Sequence, residues 1–90
     1  MPEFTKLFEP GKMGKIEIKN RIIFAPCGTH YSSHYGEITE RQLAYYAERA
    51  RGGTGLLIIE GASCRKRGKP GRILVNDDKF IPGMKRLADA

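Results

Sequence analysis

The ninety residues carry sixteen basic and ten acidic side chains, a net charge of +6, with 40% hydrophobic and 29% charged residues. A chain of this length builds one small domain with a marginal core, and its balance is that of a globular protein rather than a disordered segment. No apolar run reaches the roughly 18–20 residues of a transmembrane helix. Pro2, Glu3 and Lys6 leave no apolar secretory region, so a cytoplasmic protein without a membrane partner is expected.

The basic residues are scattered, apart from Arg65-Lys66-Arg67-Gly68-Lys69. Such a run suits a phosphate-rich partner or a solvated loop. No aromatic stacking motif accompanies it, so nucleic acid is not the expected partner. Cys27 and Cys64 have neither CxxC spacing nor a second pair, which argues against zinc. A disulfide does not suit the cytosol.

The chain opens with Leu7, Phe8, Ile16 and Ile18 as apolar anchors and with turn signals at Pro10-Gly11 and Met13-Gly14-Lys15. Ile16-Glu17-Ile18-Lys19 alternates, predicting a half-exposed strand in a small hairpin, a lid over one end of the core. Asn20 to Gly28 is the organising stretch. Ile22, Ile23 and Phe24 form an apolar row suited to a strand buried on both faces. Pro26 ends the ladder and Gly28 leaves the main chain bare. The C-terminal end of such a strand is where α/β proteins place ligands.

A polar loop from Gly28 to Ile38 offers side chains to a ligand. Thr39-Glu40-Arg41-Gln42 reads as a capping box. Leu43, Tyr46, Ala47 and Ala50 then mark a helix face, which Gly52-Gly53 ends. Thr54 to Ala62 reads as a second buried strand, parallel to the first through a right-handed crossover. A basic loop spans Ser63 to about Asn76. Asp77, Asp78 and Pro82 introduce a last helix with Ile81, Met84, Leu87 and Ala88 on one face. Two parallel strands leave both sheet edges unpaired. The pattern is the opening β-α-β-α portion of a larger α/β fold.

Several residues read as structural before they read as functional. Cys27 is expected to be a small buried residue rather than a redox thiol. His30 and His34 have i, i+4 spacing but no third ligand, so no metal is expected. Tyr45 and Tyr46 suit helix packing. Glu60 is a site residue or one half of a structural ion pair with a barrel neighbour, and Arg72 reads as a solvated loop arginine before it reads as a contact to a substrate anion.

The ordered set Leu7-Phe8-Glu9-Pro10-Gly11, Asn20-Arg21, Ala25-Pro26, Gly36 through Thr39-Glu40, Tyr45-Tyr46, Gly52-Gly53-Thr54-Gly55-Leu56, Glu60-Gly61 and Ile81-Pro82-Gly83 resembles the N-terminal segment of the old yellow enzyme family. These are the FMN-dependent ene-reductases and NADH:flavin oxidoreductases. The resemblance implies a (β/α)8 TIM barrel of which residues 1–90 are one portion: a hairpin lid over 1–20 and the first two βα units over 21–90. A whole barrel needs about 250 residues, so this chain is expected to be incomplete and inactive alone.

By position, Ala25, Pro26 and Cys27 would line the isoalloxazine through main-chain contacts, and Gly61 would lie near its pyrimidine side. Gly28 falls where relatives carry a Thr or Cys that bonds the flavin, and it can offer only its N–H. His30 or Tyr31 falls near a substrate-contacting tyrosine. The resemblance places no catalytic residue and no metal ligand in this segment. It implies FMN, NADH or NADPH as reductant, an unsaturated carbonyl substrate, the remainder of the barrel as partner and scope for homo-oligomers. An iron–sulphur cluster and FAD belong only to longer relatives. Two other readings stand beside it: an interaction module that pairs its open sheet edge with a partner, and a small basic RNA-binding protein.

Overall fold

The structure is a computed structural model and describes residues 4–64 and 71–90. The basic run at 65–69 lies outside the described residues. The expected hairpin is present: β1 (Gly11–Met13) pairs antiparallel with β2 (Ile16–Ile18), Gly11 opposite Ile18 and Met13 opposite Ile16. Gly14 turns the chain at φ 61°, a conformation glycine adopts without steric cost. Ile18 is buried, whereas Ile16 is 67% exposed. The Arg21 N–H donates to the Leu7 carbonyl at 2.9 Å, joining the N-terminal segment to the next strand.

The strand β3 (Ile23–Phe24) runs parallel to β4 (Leu56–Leu57), with Ile23 beside Leu56 and Phe24 beside Leu57. Asn20 sets the register from below. Its Oδ1 accepts the Ile22 N–H at 3.0 Å and its amide donates to the Gly53 carbonyl at 2.6 Å. Gly55 presses so closely on Asn20 that a Cβ there would lie 3.1 Å from the Asn20 carbonyl carbon and nearer still to its oxygens. Between the strands runs α1 (Glu40–Arg51), capped by Thr39, whose hydroxyl accepts the Gln42 N–H at 3.2 Å. Gly52 and Gly53 close it with N–H bonds to the Glu48 and Ala50 carbonyls.

Neither strand is buried on both faces. Phe24, Leu57 and Ile59 pack on Leu43 and Tyr46 of α1 and on Leu87. Strand alternation turns Ile23, Leu56 and Ile58 to the opposite face, where Ile23 is 49% exposed and Ile58 43%. The ladders are also shorter than the apolar runs, because no described strand pairs with their outer edges.

The stretch read as a basic loop contains a strand. β6 (Ile73–Leu74) pairs parallel with β5 (Ala62–Ser63), and Ile73 is fully buried. The carbonyl of Gly36, at φ 86°, accepts the Leu74 N–H at 3.1 Å, and the Leu74 side chain fills the place of a Cβ. A short 3-10 turn (Asp78–Phe80), capped by Asp77, leads into α2 (Ile81–Asp89) with Pro82 in its first turn. Leu87 is buried, but Ile81 is 59% exposed, so the expected apolar face of this helix is only partly covered. The radius of gyration is 15.2 Å, against about 12 Å for a compact chain of this length.

Two glycine substitutions separate close packing from backbone conformation. In the intact protein Gly55→Ala is expected to cost roughly 2–3 kcal/mol through overpacking on Asn20. Gly14→Ala, in open space, is expected to cost about 1 kcal/mol from its left-handed φ. Urea unfolding measures both, and equal losses would contradict this account of the Asn20 contact.

Candidate functional site

The C-terminal ends of β3 and β4 meet at Glu60, which is 4% exposed. A carboxylate taken out of water costs several kcal/mol unless its oxygens are hydrogen-bonded. Here Oε1 accepts from the Thr29 hydroxyl at 2.6 Å, the Gln42 amide at 2.7 Å and the Tyr46 hydroxyl at 3.2 Å, while Oε2 accepts the Thr29 N–H at 3.1 Å. The Tyr46 oxygen in turn accepts the Glu60 N–H at 2.9 Å. Gln42 is completely buried, and its carbonyl oxygen accepts from the Ser32 hydroxyl. One loop, one helix and one strand end therefore converge on a single side chain.

Burial pushes the Glu60 carboxyl up, but the bonds from Thr29, Gln42 and Tyr46 outweigh it and hold it below the usual carboxylate range. Burial, together with the neighbouring Glu60 charge, pushes the Tyr46 phenol up to about 12 even though the Glu60 N–H opposes the shift. Among the described residues every donor to Glu60 is uncharged, and no salt bridge reaches it.

Beside this network lies a cavity of about 140 Å³ lined by Gly28, His30, Glu60, Gly61 and Arg72. The expected rim residues Gly28 and Gly61 are thus brought together. Among the described residues no atom lies within 4 Å of where a Cβ would stand on either, so both present bare main chain. The main chain from Ala25 through Pro26 and Cys27 to Gly28 lies on exposed residues. Cys27 is not the buried residue that was expected; it is exposed, as is Cys64, and both are free thiols. The β3 ladder ends before it, leaving nothing to cover it.

His30 lines the cavity and is the one described non-glycine residue at positive φ, 58°. Gly71 packs against its carbonyl so tightly that a Cβ there would stand 2.9 Å away. This contact joins the β3 loop to the segment that carries Arg72. Tyr31 is held elsewhere: the Arg41 guanidinium lies 3.9 Å from its ring centroid and Tyr45 packs edge-on at 5.8 Å. His34 turns to Tyr35, their rings 5.4 Å apart; the two histidines do not share a site.

Sequence reasoning missed Thr29 and the role of Gln42. Gln42 was read as the returning arm of a capping box, but its side chain goes to Glu60 and Ser32 instead. The available signal was a glutamine and a tyrosine at i, i+4 on the buried side of a helix, opposite an acidic residue ending an apolar run. A larger cavity of about 330 Å³, lined by Ala47, Ala50, Met84 and Ala88 among others, lies between α1, α2 and β4. Apart from Tyr46 it brings no chemistry-bearing side chain.

The two shifts give a pH dependence with two limbs. Glu60 titrates lower when folded, so its contribution is present above its unfolded value near 4.5 and is lost as pH falls through the folded value. Tyr46 titrates higher when folded, so its contribution is present below 10.0 and is lost as pH rises through about 12. Ultraviolet titration of the intact protein is expected to show a tyrosine ionising near 12, absent in Tyr46→Phe. That variant is also expected to lose roughly 1–3 kcal/mol at neutral pH.

Comparison with known proteins places this site in a family. The model of the NADH:flavin oxidoreductase / NADH oxidase family matches residues 6–90. A metal reductase of Desulforamulus reducens is 41% identical over 85 residues, covering 93% of this chain and 13% of the reductase. Among solved structures, a 2-naphthoyl-CoA reductase in complex with 2-naphthoyl-CoA superposes with a TM-score of 0.91 at 29% identity, over 97% of this chain and 14% of its own. An old yellow enzyme from Pichia sp. AKU4542 gives 0.82 at 30% identity, over 93% and 22%. The chain thus spans between 13% and 22% of the length of these three relatives. With nearly every residue inside the family match, and with bare main chain at the ends of its parallel strands, this chain belongs to the NADH:flavin oxidoreductase / NADH oxidase family.

Proposed function

We propose that residues 1–90 form one wall of the flavin site in an FMN-dependent oxidoreductase that uses NAD(P)H to reduce activated C=C bonds, and that the remainder of a (β/α)8 barrel completes the site. The observation that carries this reading is the pair of open glycines, Gly28 and Gly61, on one cavity at the C-terminal ends of parallel strands, which is the face where such barrels hold ligands. A flat aromatic ring can approach a main chain without Cβ atoms to van der Waals distance, so the residues present fit one edge of a flavin. The uncovered face of Ile23, Leu56 and Ile58 suits the interior of a closed barrel, where further strands would bury it.

In this reading the main chain of Ala25, Pro26 and Cys27 supports the ring, the Gly28 N–H is a donor to it, and Gly61 admits its pyrimidine side. Bound flavin supplies the hydride chemistry. His30 faces substrate in preference to Tyr31, since His30 lines the cavity and the Tyr31 ring is engaged by Arg41 and Tyr45. Activated alkenes conjugated to a carbonyl are the substrate class, in keeping with the old yellow enzyme and the naphthoyl-CoA reductase among its relatives.

The test is a titration of the flavin-free, full-length protein with FMN, followed by anaerobic reduction with NADH or NADPH and reoxidation by a simple enone. Stoichiometric FMN binding and enone-dependent reoxidation are expected, and residues 1–90 alone are expected to show neither. Gly61→Val is expected to weaken FMN binding by tenfold or more while leaving the fold intact. No flavin binding by the full-length protein would overturn the proposal.

A further inference from the structure

We propose that Glu60 is a positioning residue of the flavin rim: its carboxylate clamps the Thr29 main chain and hydroxyl, fixes the Gly28–Thr29 edge of the site, and sets a negative charge beside the flavin that holds its reduction potential down. This rests on the flavin-site reading given above. Three observations carry it.

The first is the form of the clamp. Glu60 accepts from both the N–H and the hydroxyl of Thr29, one on each oxygen. The Thr29 hydroxyl also accepts the Tyr31 N–H at 3.2 Å. Its proton is committed to Glu60 and unavailable to a ligand, and its backbone is held at two points. The peptide joining Gly28 to Thr29 is therefore fixed from the protein side, and what remains for a ligand is bare main chain.

The second is charge. The donors to Glu60 come from Thr29, Gln42 and Tyr46, all neutral. They satisfy the oxygens without cancelling the charge, so a full negative charge persists on a carboxylate that is only 4% exposed, where its field is screened less than at the surface. A purely structural plug needs no such charge, since a neutral residue of similar volume avoids the cost of burying an ion.

The third is location. Glu60 lines the same cavity as Gly28 and Gly61. Among the described residues, the Arg72 guanidinium and the His30 imidazole also line that cavity; both residues are exposed and neither forms a salt bridge with Glu60.

The experiment uses the full-length FMN-loaded protein with the variants Glu60→Gln and Tyr46→Phe. It measures the flavin midpoint potential and the FMN dissociation constant along with thermal melting. Glu60→Gln removes the charge and sets an NH2 donor in place of one of the two accepting oxygens, facing a donor it cannot accept. It is expected to raise the potential by about 30 mV or more, a tenfold change for a two-electron couple, and to weaken FMN binding. Tyr46→Phe keeps the charge and is expected to lower the melting temperature while leaving the potential in place. Wild-type potential and FMN affinity in a folded Glu60→Gln would overturn the inference, as would equal potential shifts in both variants. Should Glu60→Gln fail to fold, Thr29→Val deletes only the clamped hydroxyl; weaker FMN binding supports the clamp and unchanged binding overturns it. A wild-type protein that takes up no FMN overturns the flavin reading itself, a result distinct from failure of the clamp.

Discussion

A buried carboxylate must find donors or lose its charge, and Glu60 finds them on three separate parts of the chain. Thr29 comes from the loop after β3, Gln42 and Tyr46 from α1, and Glu60 itself ends the apolar run that begins at β4. Each bond to a charged acceptor contributes about 1.5–3 kcal/mol, and together they offset a desolvation penalty of several kcal/mol. The resulting geometry leaves few alternatives: the loop must turn where Thr29 meets the carboxylate, and α1 must present Gln42 and Tyr46 on its inner side. Gln42 cannot then close the capping box, so Thr39 caps the helix with its hydroxyl while donating to the Tyr31 carbonyl. The rim is ordered from beneath, before any ligand arrives.

Asn20 does at the opposite end of β3 what Glu60 does at the rim. Its amide spans from the Ile22 N–H to the Gly53 carbonyl, joining the start of the first strand to the turn before the second. The pair is thus pinned at both ends by buried polar side chains, while the ladder between them is only two residues deep. Packing contributes on one side only, through Phe24 and Leu57 against Leu43, Tyr46 and Leu87. This division of labour explains how so short a sheet can hold a defined register.

The elements with local causes were legible in the sequence. The hairpin followed from Gly14 and the alternation at Ile16 and Ile18, and α1 followed from Thr39, its periodic apolar residues and Gly52-Gly53. The likeness to flavin oxidoreductases was legible as well, because its matching residues span the chain in order. Three things were not. β6 is two residues long; the apolar run Ile73-Leu74-Val75 hints at it but is too short to mark a strand unaided, and it pairs because Ala62–Ser63 and the Gly36 carbonyl lie beside it. The exposure of Ile23 and Ile81 depends on what lies opposite them, which composition does not record. The Glu60 network joins residues 14 to 31 positions apart, and its donors are residue types that serve equally well on a surface.

The central claim is that these ninety residues are one wall of a larger flavoprotein site. Native mass spectrometry of the protein purified from its source tests it most directly. The account predicts a mass well above the 10.1 kDa of this chain, with FMN released on denaturation. A native species of 10.1 kDa carrying no flavin would contradict it.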